Sequence, residues 1–237
     1  MAACIGVTGL SGINGLSLSG VAGAANRTSV GHGTGTQTIR LKSSGKARPK
    51  GTKPINLLTA AVESGVAIKL DDGVSETTAR AALGLVRLDL DTTFPGWTIQ
   101  FKGSRAGYLG LTLVKERRVE VYIRSGRSVQ GIAHDLAHEL GHAIDVTYNG
   151  NEERNVYLAN RGLDEATPWW TCNSCGDLQV GAGDFAETFA ILVGPKFKFY
   201  SEVGPRPTAE QLTAIMAGLP AEVGDAVRAG TGSPASV

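Results

Sequence analysis

The stretch His134-Asp-Leu-Ala-His138-Glu139-Leu-Gly-His142 contains the pattern His-Glu-x-x-His and three of the four histidines of this chain. Residues four apart lie on one face of a helix, so His138 and His142 can direct two imidazoles at one metal ion. Glu139 projects about 100° around the helix from His138, which lets its carboxylate reach a water on that metal. Two nitrogen ligands, a neighbouring carboxylate base and an open coordination position are what a zinc hydrolase requires. The pattern therefore predicts a zinc site with Glu139 as the general base.

The flanking residues favour a helix for this stretch. Residues 110–125 are rich in β-branched side chains and predict a pair of strands. Ser128 is a suitable helix N-cap, and apolar residues then recur with a helical period as far as Ile144. Asn149-Gly150 ends the pattern, so the sequence predicts one amphipathic helix over residues 127–148.

The rest of the chain is typical of an α+β domain. Before the motif, the sequence predicts helices at 56–65 and 75–83 and strands at 85–90, 97–102, 109–114 and 119–124. After the motif, it predicts helices at 152–161, 184–193 and 207–218. Strands followed by helices indicate an α+β fold with one catalytic domain over residues 55–237.

Two stretches resemble a known group of enzymes. The run His138-Glu-Leu-Gly-His142-Ala-Ile-Asp145 resembles the active-site helix of the zincin metallopeptidases. The stretch Gly181-Ala-Gly-Asp184-Phe-Ala-Glu187-Thr-Phe-Ala190 is similar to the helix that supplies the third ligand in gluzincin and lethal-factor-like families. Together with Trp169-Trp170, it also resembles HExxH proteins of actinobacteria and their phages. The resemblance implies a twisted, mainly antiparallel sheet packed on the active-site helix, additional C-terminal helices, a catalytic Zn²⁺ and hydrolysis of peptide bonds.

A catalytic zinc usually takes three protein ligands, so the chain must supply one more. The ligand position of the gluzincin pattern falls here on Gly183, which has no side chain to offer. Asp184 is therefore the favoured third ligand, with Glu187 as the second choice. An Asp-x-x-Glu pair ahead of an apolar run can also be a capping box that satisfies backbone N–H groups.

Two further residues near the motif have predicted supporting roles. Asp145 follows His142 by three residues, and metal-bound histidines commonly donate their second N–H to a carboxylate. Asp145 can take that role, or it can be a solvated acid near the helix end. His134 is expected to be a surface or packing residue, because successive fourth residues drift about 40° around a helix.

Cys172 and Cys175 form a C-x-x-C pair without a second pair to complete a four-cysteine zinc site. A short-loop disulfide is the favoured interpretation, and a reduced pair is the alternative.

The N-terminal segment, residues 1–54, is rich in Gly, Ser and Thr, and the first 62 residues contain seven basic residues and no acid. Such a segment is expected to be disordered, and it could contact anionic surfaces. A weakly apolar run before Ala22-Gly-Ala24 favours a secreted or cell-surface protein, with a cytoplasmic one as the alternative. No apolar run approaches the length of about 18 residues that spans a bilayer.

The sequence thus predicts a zinc-dependent endopeptidase acting on a protein or peptide substrate, without a specific nucleic-acid partner. Two alternatives stay open. One is a non-catalytic, metal-stabilised binding or structural protein of a phage or cell surface, and the other is a zinc hydrolase that acts on cell wall.

Overall fold

A small sheet and several helices make up the part of the chain that the structure describes. The computed structural model describes residues 4–5, 66–170, 176–194 and 196–232, with backbone only at 4–5 and 231–232. The strands are β1 (Cys4–Ile5), β2 (Ala67–Leu70), β3 (Thr98–Gly103), β4 (Gly110–Leu113) and β5 (Arg118–Ile123). The helices are α1 (Glu76–Leu83), α2 (Leu90–Thr93), α3 (Val129–Tyr148), α4 (Asn151–Arg161), α5 (Gly181–Val193), α6 (Ala209–Gly218) and α7 (Ala221–Gly232), with a short 3-10 helix at Asp177–Gln179. The predicted α+β class is confirmed.

The sheet is mixed, which differs from the mainly antiparallel sheet that was expected. Its strand order is β1-β4-β5-β3-β2. β3 pairs in parallel with both β2 and β5, whereas β4 is antiparallel to β5 and to β1. A short turn joins β4 to β5, which forces them to run in opposite directions. The connection from β2 to β3 contains two helices and is long enough for a parallel crossover.

One predicted strand is a loop instead. The alternating apolar residues at 85–90 suggested a strand, but only the last of them is in a regular element, at the start of α2. Asp89 explains the difference, because its side chain accepts hydrogen bonds from the backbone N–H groups of Asp91 and Thr92 and so caps a helix there. β2 and α7 were not predicted.

Helix α3 is the central element and confirms the helix predicted from the motif. Ser128 caps it by accepting a hydrogen bond from the N–H of Gly131 at 3.1 Å. The helix packs against β4 and β5 on one side and against α5 on another. A Cβ on Gly141 would lie 2.7 Å from the Cα of Ala186, so glycine lets the backbones of α3 and α5 come close together. This close approach brings the start of α5 to the histidine-bearing face of α3.

The described residues all belong to one compact unit. Most of the predicted disordered segment 1–54 and the predicted helix 56–65 lie outside the described residues. The exception is Cys4–Ile5, which pairs with Leu113 and Thr112 at the edge of β4.

Candidate metal centre

Two histidines on α3 converge as their spacing predicts. The Nε2 atoms of His138 and His142 lie 3.1 Å apart, and both side chains are fully buried. Buried imidazoles in such contact need a proton or a cation between them, because two ring lone pairs repel.

Asp177 completes the group from the 3-10 helix that precedes α5. Its Oδ2 lies 2.9 Å from Nε2 of His138 and 3.3 Å from Nε2 of His142. These three residues form a buried group that could hold a metal ion, and they are called the metal centre below. Ligand atoms at about 2.0–2.2 Å from a tetrahedral zinc are separated from one another by about 3.3 Å. The separations in this centre are close to that value, so the residues fit a tetrahedral ion.

Asp184, the favoured third ligand in the sequence, is engaged elsewhere. Its oxygens accept hydrogen bonds from Arg161 at 2.8 and 3.0 Å, and from the hydroxyls of Tyr157 and Ser201. Arg161 lies on α4 and is itself buried. Asp184 therefore has its own buried cation and lies outside the metal centre.

Glu187, the second choice, contacts His138 but is not one of the three grouped residues. Its Oε1 lies 2.7 Å from Nδ1 of His138, on the side of the ring away from the metal centre. Its Oε2 accepts a hydrogen bond from the backbone N–H of Tyr200 at 2.7 Å and lies 3.3 Å from Nε2 of His134. A carboxylate on the outer nitrogen fixes the tautomer and orientation of a metal-binding histidine. This is the role that was expected of Asp145.

The position of Asp177 depends on the glycine that the sequence analysis singled out. A Cβ on Gly183 would lie 2.0 Å from the carbonyl oxygen of Asp177 and 3.1 Å from its Oδ2. The absent side chain at this position thus makes room for the residue that approaches the histidines. Gly183 was identified in the sequence and Asp177 was not. The only signal for Asp177 in the sequence is that it is an acid a few residues before the predicted ligand helix.

Asp145 makes no hydrogen bond with either histidine of the metal centre. It is fully buried and accepts hydrogen bonds from Arg154, from Nε1 of Trp169 and from Asn149. Arg154 reaches it from α4, which follows α3 directly. Asp145 therefore links the end of α3 to α4 and to Trp169. Among the described residues, Nδ1 of His142 has no hydrogen-bond partner.

Glu139 lies beside the metal centre on the side of α3 that faces the sheet, where residues of β4 fix its carboxylate. Its Oε2 accepts a hydrogen bond from the hydroxyl of Thr112 in β4 at 2.7 Å. A Cβ on Gly110 would lie 2.5 Å from its Cγ, so this carboxylate fits only against a glycine. Its Oε1 has no hydrogen-bond partner among the described residues.

The protein environment shifts the pKa of Glu139 in the opposite direction from the pKa values of Asp177 and Glu187. Burial raises the pKa of Glu139 to about 7, although His142, His138 and Thr112 oppose the shift. Burial acts in the same direction on Asp177 and Glu187, but the neighbouring histidines outweigh it. They hold the pKa of Asp177 well below its usual range and lower that of Glu187 to about 2. The result is two ionised carboxylates around His138 and one carboxyl that can exchange a proton near neutral pH.

Two other predictions concern the cysteine pair and the membrane. Cys172 and Cys175 lie outside the described residues, so the predicted disulfide stays a prediction. None of the described helices is long and apolar enough to cross a membrane.

Comparisons with protein-family models, curated proteins and solved structures found no match to this chain. The resemblance to zincin metallopeptidases therefore rests on the motif residues quoted above.

Proposed function

We propose that this protein is a zinc-dependent metallopeptidase in which His138, His142 and Asp177 bind the metal. The observation that carries the proposal is the combination of these three converging ligands with Glu139, a carboxylate whose pKa is raised to about 7. Zinc prefers nitrogen and carboxylate oxygen ligands, and catalytic zinc sites have three protein ligands and an open position.

In the proposed chemistry, the metal acts as a Lewis acid and Glu139 transfers protons. A bound zinc supplies Lewis acidity, which lowers the pKa of a water and polarises the substrate carbonyl. Glu139 accepts a proton from the attacking water and later donates it to the leaving amine. Thr112 holds one oxygen of Glu139 at 2.7 Å, and the other oxygen is left without a partner among the described residues, ready for that proton.

Glu187 and the backbone of Tyr200 orient the ring of His138. Glu187 accepts the Nδ1–H of His138, which leaves the Nε2 lone pair directed at the metal centre. The backbone N–H of Tyr200 fixes the other oxygen of Glu187. The ligand geometry is thereby held before a metal binds, which reduces the cost of organising the site.

A second candidate is a non-catalytic protein that uses the metal for stability. The observation that favours it is burial, since His138, His142 and Glu139 are fully buried and Asp177 is only 4% exposed. A metal that only stabilises the fold can be enclosed completely, whereas a catalytic site must admit its substrate.

Replacing Glu139 by glutamine separates the two candidates. The peptidase proposal predicts about one zinc per purified chain and zinc-dependent cleavage of a peptide library. Glu139→Gln should keep the zinc and lower the cleavage rate by about 10²- to 10⁴-fold. Glu116→Gln, which changes an exposed acid in the β4–β5 turn, is the matched control and should cleave normally.

Three other outcomes of the zinc-binding and cleavage assays would distinguish the candidates. Zinc binding without cleavage of peptides or of cell-wall peptides would favour the structural candidate. Cleavage of cell-wall peptides alone would narrow the substrate to that class. Purified chain that binds no zinc would contradict both candidates.

A further inference from the structure

One side of β4 runs past Glu139, the proposed general base. The hydroxyl of Thr112 in β4 donates a hydrogen bond to Oε2 of Glu139 at 2.7 Å, and Gly110 of the same strand leaves room for the Glu139 side chain. The far edge of the sheet, at β2, is three strands away from β4, or about 14 Å at the usual strand spacing. An extended chain that binds beside β4 therefore lies close to Glu139, and one that binds beside β2 does not.

The chain's own N-terminal segment occupies this side of β4. β1 pairs antiparallel with β4, so that Ile5 lies opposite Thr112 and Cys4 lies opposite Leu113. Ile5 is thus the strand neighbour of the residue that holds the carboxylate of Glu139. Among the described residues, no other strand lies on this side of β4.

A substrate peptide has use for the same position. Peptides commonly bind by adding a strand to the edge of a sheet, since backbone hydrogen bonds then give affinity whatever the side chains are. Only one strand can pair with the outer side of β4 at a time. In this form of the protein the pairing position is taken, and His138, His142 and Glu139 are fully buried.

We propose that the N-terminal segment containing β1 is an intramolecular inhibitor, which occupies the edge of β4 where an extended peptide substrate would bind. The inference rests on the proposed peptidase function, which supplies the competing ligand. The segment is covalently attached, so it competes at a raised effective concentration. Its strand pairing with β4 joins two pairs of residues, which a longer extended peptide can outcompete.

Hydrogen exchange of β4, measured by mass spectrometry on the full-length zinc-loaded protein, tests the occupied edge. Successive residues of a strand direct their N–H groups to opposite sides, so either Cys4 or Ile5 donates toward β4. Proline has no N–H, and Cys4→Pro/Ile5→Pro removes that donor in either case. Exchange of the amides of residues 110–113 should become at least about tenfold faster. Thr28→Pro/Ser29→Pro, outside β1, is the control and should exchange like the unaltered protein.

A synthetic peptide of residues 1–9 tests whether the vacated edge accepts a strand. The peptide carries the change Cys4→Ser, which removes a thiol that can bind zinc. It should bind the double proline variant saturably and slow the exchange of residues 110–113 again. It should bind the unaltered protein at least about tenfold more weakly, because the attached segment holds the edge. A chain without residues 1–9 should give the same results as the double proline variant, which excludes other effects of proline.

Cleavage kinetics test the competition itself. A displaceable competitor affects substrate binding alone, so the double proline variant should have a KM at least about tenfold lower and an unchanged kcat. Unchanged exchange in both altered chains, or failure of the peptide to bind them, would overturn the inference. Faster exchange with an unchanged KM would also overturn it. Peptide binding that protects β4, with no cleavage by any variant, would support the occupied edge and contradict the peptidase proposal instead.

Discussion

Two buried acids near the start of α5 have opposite surroundings. Asp184 meets the guanidinium of Arg161 and two hydroxyls, so its charge is compensated by the protein itself. Asp177 meets two imidazole nitrogens at 2.9 and 3.3 Å and no arginine or lysine among the described residues. A buried carboxylate with its own cation is a structural group, whereas one that faces only imidazoles has room for a metal ion. A candidate metal ligand in this chain is therefore a buried carboxylate that no arginine or lysine pairs with, whatever its distance from the motif in the sequence.

The largest expected effect on stability comes from removing the guanidinium of Arg161, the buried partner of Asp184. Arg161→Met leaves Asp184 buried and without its guanidinium, which should lower the free energy of unfolding by about 3–5 kcal/mol. Urea denaturation followed by circular dichroism measures this change.

The control for that variant is Arg80→Met. Arg80 pairs with Glu76 on the surface, where both side chains are 44% exposed, and an exposed pair contributes about 0.5 kcal/mol. If Arg161→Met cost no more than Arg80→Met, the Asp184 network would not be the structural group described above.

A smaller effect is expected from filling the space beside Asp177. In Gly183→Ala, the new Cβ would overlap the carbonyl of Asp177, now 2.0 Å from that point. We expect a loss of stability near 3 kcal/mol, the upper range for overpacking, together with weaker zinc binding although no ligand is removed. Urea denaturation and competition with a chelator measure the two effects.

Gly218→Ala is the matched control, because nothing lies within 4 Å of a Cβ at that position at the end of α6. A Gly183→Ala protein with ordinary zinc affinity would show that the position of Asp177 does not matter to the metal.

The smallest effect is expected from the carboxylate behind His138. Glu187→Gln keeps the size of the side chain but removes the charge that orients the imidazole. Groups in this role contribute about 10- to 100-fold to metal affinity, so chelator competition should show a loss in that range. A complete loss of zinc would instead indicate that Glu187 is itself a ligand.

The sequence was sufficient for the local part of the centre and insufficient for the part that depends on tertiary packing. His138, Glu139 and His142 are placed by the period of a single helix, which a strong apolar pattern predicts. Asp177 reaches them only because Gly141 lets α5 approach α3 and Gly183 gives its backbone room. Neither contact has a signature in a single sequence.

The difference between the predicted Asp184 and the observed Asp177 has a specific physical cause. Asp184 lies next to the expected ligand position, but the choice took no account of Arg161, more than 20 residues earlier on another helix. Similarly, the apolar alternation at 85–90 predicted a strand, and the helix cap formed by Asp89 outweighed it. In both cases, a polar side chain satisfied its hydrogen bonds in a way that neither the family resemblance nor the apolar pattern encodes.

A crystal structure of the zinc-loaded protein, with anomalous diffraction measured at the zinc absorption edge, tests directly whether Asp177 is the third zinc ligand. We expect one strong peak about 2.0–2.2 Å from Nε2 of His138, Nε2 of His142 and a carboxylate oxygen of Asp177. Arg161 should still be paired with Asp184 in that structure. A zinc ion bonded to Asp184 or Glu187, with Asp177 outside coordination distance, would contradict the assignment of Asp177 as the third ligand.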